Sequence, residues 1–121
     1  MERTADYLRY IKTSLTDDLL KKKFKGSRPL AGHCYVASEA AFHLFARVKG
    51  YSPCFIRHEG QPHWFLICGS KVIDITACQF YTKVPYERGR RIGFLTKRPS
   101  RRARTVIRRV KKLIQNESNR T

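Results

Sequence analysis

One thiol, one imidazole and one carboxylate stand in this sequence in contexts that suit nucleophilic catalysis. Cys34 lies in Gly32-His33-Cys34-Tyr35-Val36-Ala37-Ser38-Glu39-Ala40. Apolar or small residues recur at Val36, Ala37, Ala40, Ala41, Leu44, Phe45 and Val48, the i, i+3, i+4, i+7 stripe of a helix with one buried face. Cys34 therefore falls in the first turn, where free N–H groups and the positive dipole end favour a thiolate. Gly50 is placed to end the helix. His63 follows in Pro62-His63-Trp64-Phe65-Leu66-Ile67, and Asp74 in Lys71-Val72-Ile73-Asp74-Ile75-Thr76. A carboxylate that orients an imidazole, which in turn activates a thiol, is the arrangement required for acyl transfer.

Such a set works only if the chain brings it together. The two runs around His63 and Asp74 are rich in β-branched and aromatic residues and are bounded by Gly60 and by Gly69-Ser70, so they read as an antiparallel hairpin. Pairing near Leu66 and Ile73 puts His63 and Asp74 on neighbouring strands, at the end away from the turn. Cys54 to His58 reads as a further strand, turned back by Glu59-Gly60-Gln61, with Tyr51-Ser52-Pro53 a turn before it. The segments 54–58, 63–68 and 71–76 make a small antiparallel sheet. Tyr86 to Arg91 reads as a basic, flexible loop, and Ile92 to Thr96 as a short edge strand.

Helices flank this core. Tyr7, Leu8, Ile11, Leu15, Leu19 and Leu20 trace a stripe over Thr4 to Phe24, with a break near Ser14-Leu15-Thr16. Lys21-Lys22-Lys23 suits the C-terminal dipole of the second piece. Lys25 to Ala31 reads as a loop, with Pro29 disfavouring helix at Arg28. Ser100 is a candidate N-cap for a C-terminal helix with the apolar stripe Ala103, Val106, Ile107, Val110, Leu113 and Ile114. Residues 116–121 read as a frayed tail. The fold class expected is α+β in a single domain over 1–121. It comprises an N-terminal helical segment (1–30), a core carrying the chemistry (31–96) and a basic helix with its tail (97–121).

The chain carries 26 Lys+Arg against 9 Asp+Glu, a net charge of +17 over 121 residues. Solubility needs far less charge of one sign, so a polyanionic partner is expected, nucleic acid first. Arg88, Arg90, Arg91, Lys97, Arg98, Arg101, Arg102 and Arg104 lie close together, with Tyr81, Tyr86 and Phe94 between them. Arginine grips phosphate through paired N–H donors. Cys34, Cys54, Cys68 and Cys78 form no C-x-x-C pair. With His33, His58 or His63 they also lack zinc spacing, so no metal and no cofactor is expected. No run is long enough to span a membrane, and the N-terminus lacks the pattern of a secretory signal. A cytoplasmic protein with reduced thiols is expected, without membrane association.

Gly32-His33-Cys34-Tyr35-Val36-Ala37-Ser38 resembles the Gly-x-Cys-aromatic motif that opens the catalytic helix of papain-like enzymes. His63-Trp64 and Ile73-Asp74-Ile75-Thr76 resemble the His-x-Trp and Asp-x-Thr pieces of the transglutaminase-like branch. The resemblance covers about residues 30–80. It implies a papain/transglutaminase-like core, a cysteine-bearing helix packed on an antiparallel sheet that carries His63 and Asp74. The chain also resembles small proteins encoded by bacteriophages, which implies the host cytoplasm. The function implied is that of a cysteine hydrolase or acyltransferase acting on a peptide, amide or ester. The glutamine that helps hold the oxyanion ahead of the cysteine is absent. The backbone N–H of Cys34 would supply one donor, with Gln61 and Gln79 the side chains available for another. The rival expectation is a non-catalytic nucleic-acid-binding protein on the same fold.

Overall fold

The computed structural model describes residues 4–20 and 33–119. Helix α1 (Thr4–Ser14) comes first, followed by a 3-10 turn at Asp17–Leu19. Ser14 Oγ donates to the Tyr10 carbonyl at 2.8 Å, and Leu15 N–H reaches back to Lys12. This is the break expected near Ser14. The expected continuation to Phe24, Lys21-Lys22-Lys23 and the loop from Lys25 to Ala31 fall outside the described residues.

Helix α2 (Cys34–Ala41) begins on the thiol and runs on into a π-helical turn, Phe42–Ala46, in which Arg47 N–H reaches the Phe42 carbonyl. Val36, Ala37, Ala40, Ala41, Phe45 and Ala46 are buried, as the stripe requires. Val48 is 89% exposed. The wider π turn adds a residue and rotates the stripe off register before it reaches this position.

Strands β1 (Ser52–His58), β2 (Gln61–Cys68), β3 (Lys71–Ile73) and β4 (Arg90–Arg91) form one antiparallel sheet in the order β3-β2-β1-β4. Leu66 pairs with Ile73, the register read from the hairpin. Three expected boundaries change, the first at Gln61 and Pro62, which open β2 although Gln61 was expected in the turn. Ser52 and Pro53 belong to β1 rather than to a turn. β3 stops at Ile73, because Asp74 leaves the ladder to take side-chain hydrogen bonds. The fourth strand is also not Ile92–Thr96. Arg90 and Arg91 pair with Phe55 and Cys54, while 92–96 leaves the sheet so that Phe94 packs against Tyr35, Phe42 and Trp64. Tyr86–Arg88, expected as flexible loop, forms a 3-10 turn.

Each face of the sheet has its own core. Leu66 and Ile73 join Ile11 of α1, the apolar residues of α2, and Ala103, Val106 and Val110 of helix α3 (Arg101–Ser118). Cys54, Ile56 and Phe65 face the other way, beneath Phe80 and Val84. Ser100 caps α3 by accepting from Ala103 N–H, as expected; the helix runs to Ser118, into the stretch expected to fray, whose last two residues lie outside the described ones. Arg109 is turned inward to Ser14 O, Thr16 Oγ1 and Asp18 Oδ2, tying α3 to the end of α1.

Candidate active site

The first turn of α2 points at the start of β2. The N-cap residue His33 makes no side-chain capping hydrogen bond, and the leading N–H groups of the helix gather around Cys34. Cys34 Sγ donates to the carbonyl oxygen of Pro62 at 3.8 Å and lies near enough to the His63 ring to act on its charge. Strand alternation carries His63 to the face of the sheet that Phe65 also occupies, where the ring is fully buried against Phe80 and Phe65. Its Nε2 lies 2.7 Å from Asp74 Oδ2. The structure therefore brings Cys34, His63 and Asp74 together from a helix start, a strand and the residue just past the next strand.

Three further side chains complete the surroundings. The Tyr86 hydroxyl donates to Asp74 Oδ2 at 2.7 Å. Gln79 is buried, with Nε2 at 3.0 Å from Thr76 Oγ1 and 3.4 Å from His63 Nδ1. Gln61, the other glutamine considered for the oxyanion, begins β2 opposite His58. Tyr86 was hidden in a stretch that composition marks as basic loop. Pro85 before it is the one local hint of fixed backbone.

Two opposing causes set the charge on His63. Burial disfavours the imidazolium and is the largest single influence. The hydrogen bonds and charges of Asp74 and Cys34 together outweigh it and raise the ring from its ordinary 6.5 to about 9. Burial and the neighbouring Asp74 push the Tyr86 phenol up, so it remains a donor. Burial likewise pushes the Cys54 thiol up, against a smaller opposing pull from Arg91. All four cysteines are free. Among the described residues, no three His, Cys, Asp or Glu gather as a metal set, and no helix is long and apolar enough to cross a membrane.

The basic residues expected to meet a polyanion follow the site in the chain. Arg88 is in the 3-10 turn, Arg90 and Arg91 form β4, Lys97 and Arg98 lie in the connection after it, and Arg101, Arg102 and Arg104 open α3. All are exposed except the half-buried Arg102, and among the described residues none forms an ion pair. Cations at a helix start oppose the dipole. One buried acid offsets them: Glu39 of α2 accepts from Ser100 N–H at 2.9 Å and from Ser100 Oγ at 2.6 Å.

Comparison with protein-family models, curated proteins and solved structures finds no match.

Proposed function

We propose that this protein is a small cysteine hydrolase or acyltransferase with a papain/transglutaminase-like core, acting on an amide or ester, and that its basic surface holds a polyanion. The observation that carries the enzymatic reading is the gathering of Cys34, His63 and Asp74, with His63 Nε2 2.7 Å from Asp74 Oδ2 and Nδ1 on the other edge of the ring, toward Gln79.

The chemistry follows from that line. With its ring raised to about 9, His63 already holds on Nδ1 the proton shed by Cys34, and the sulfur attacks the substrate carbonyl carbon, placing negative charge on its oxygen. The N–H of Cys34 is the donor that suits this oxygen. When the tetrahedral species collapses, the carbon–nitrogen or carbon–oxygen bond breaks. Nδ1 returns its proton to the departing amine or alcohol, leaving a thioester on Cys34. Water or a second amine then attacks the thioester, giving its proton to Nδ1, and the sulfur is released. Asp74 holds the ring in the tautomer with hydrogen on Nε2 and stabilises the cation that forms at each step.

The reading is tested by iodoacetamide labelling resolved by mass spectrometry, with the exposed Cys78 as internal reference. Cys34 should react faster than Cys78, and His63→Ala should slow it by about tenfold or more without changing Cys78. Equal Cys34 rates in the two proteins would remove the enzymatic reading. The unpaired arginines favour a second reading, a non-catalytic nucleic-acid-binding protein on this fold. It gains support if labelling fails while binding to an oligonucleotide weakens steeply with salt. Absence of binding at low salt would count against it.

A further inference from the structure

The strand register places three side chains in one cross-strand row. Arg90 of β4 pairs with Phe55 of β1, and Phe55 pairs with Trp64 of β2. Directly paired residues share a face, so Arg90, Phe55 and Trp64 project together. Arg57 stands two residues along β1 on that same face, paired with Pro62. Helix α2 covers this face over Leu66 and Ile73 and reaches Trp64 through Tyr35. Phe55 and Trp64 are half-buried, and Arg57 and Arg90 are exposed with no ion pair among the described residues. Phe94 stacks beside Trp64 at 5.6 Å and 28°, and Tyr35 meets the indole edge-on at 5.0 Å.

We propose that this row is a binding platform for single-stranded nucleic acid, with bases stacking at Trp64 and Phe55 and phosphates held by Arg57 and Arg90. The inference rests on the reading of the chain as a polyanion-binding protein and adds the site and the strand type. Flat aromatic surface beside guanidinium groups suits unpaired bases, whose faces are free. A duplex offers only its phosphates to such a surface, because its bases are stacked on each other. The adjacent Arg57–Pro62 pair lies next to this row, and the Pro62 carbonyl is the one that Cys34 Sγ meets at 3.8 Å, so the platform borders the strand start that carries the site.

Trp64 is the one tryptophan in the chain, so its fluorescence reports on this site alone. Oligo(dT), a duplex of equal length and heparin are titrated into the full chain, with binding followed in parallel by anisotropy of labelled ligand. The expected result is saturable quenching by oligo(dT) and binding without quenching by duplex and heparin. Arg57→Gln with Arg90→Gln should weaken oligo(dT) binding on the order of tenfold and flatten its log–log salt slope by about 1.4, from two lost phosphate contacts. Lys111→Gln with Lys112→Gln on α3 should leave the quenching unchanged. If oligo(dT) binds while Trp64 fluorescence stays constant, or all three ligands quench alike, the platform is wrong although the polyanion reading survives. If none of the three binds at low salt, both fall.

Discussion

The Tyr86 hydroxyl donates to Asp74 Oδ2 at 2.7 Å, the same oxygen that lies 2.7 Å from His63 Nε2. The other oxygen of this buried carboxylate has no hydrogen-bond partner among the described residues. One carboxylate oxygen therefore serves two donors, and the phenol draws off part of the charge available to the imidazolium. Tyr86 is a positioning residue, acting on the thiol only through Asp74 and His63.

Tyr86→Phe keeps the ring that packs 4.9 Å from Phe65 and removes only the hydroxyl. With Oδ2 left to His63 alone, the imidazolium is held more strongly. The His63 titration, followed by NMR, should shift above its wild-type midpoint of about 9. Unfolding stability should drop by about 1–2 kcal/mol, for one lost hydrogen bond to a buried charge. A purely structural role for the phenol would lower stability with no change in the titration.

Stability should depend on alkaline pH through His63. Its folded value of about 9 lies above the ordinary 6.5, so the folded state binds its proton more tightly than the unfolded chain. The stabilisation is fully present below about pH 6.5 and is lost as pH rises through about 9. Asp74→Asn removes the strongest influence opposing burial, so the His63 midpoint should fall and the alkaline loss should shrink. Urea midpoints for the two proteins between about pH 6 and about pH 10 make the comparison, and parallel curves would contradict it.

Gly89 is glycine because of what it faces. A methyl group there would come within 2.5 Å of Phe65 Cζ and 3.2 Å of the Tyr86 carbonyl oxygen. Gly89→Ala should cost about 1–3 kcal/mol in urea denaturation through overpacking. Phe65→Leu in the same chain should recover part of that loss, which a backbone effect at Gly89 would not allow.

Glu39 joins the helix of the thiol to the start of the basic helix through Ser100. Glu39→Ala leaves Ser100 N–H and Oγ without their buried acceptor and should cost about 2–4 kcal/mol, whereas Glu39→Gln should cost less because one oxygen remains. Amide hydrogen exchange should accelerate in the first turn of α3, which would set this loss apart from a general loosening of the core.

Local pattern carried much of this structure. Periodicity and turn chemistry place Cys34 in a first turn, the β2–β3 register at Leu66 and Ile73, and Ser100 as an N-cap, because neighbouring residues settle each of these. What depends on distant partners was not legible. Glu39 sits among alanines on a buried face, and its partner lies 61 residues on. Tyr86 looked like loop because its value comes from Asp74, and β4 fell at Arg90 because the exposed edge of β1 paired there rather than with the more apolar run that follows. Arg109 looked like one more exposed cation, yet its three acceptors lie near the end of α1.

The chain reverses between β1 and β2 in two residues, Glu59 and Gly60, both at positive φ (51° and 74°). That bend sets which residue of β2 faces which way, and here consecutive residues have opposite duties. A slip of a single stitch would swing the imidazole out to solvent and drive the indole into the place it left, silencing reaction and recognition at one stroke. This two-residue bend, set just before the Pro62 carbonyl that meets the sulfur, therefore holds a veto over both proposed roles.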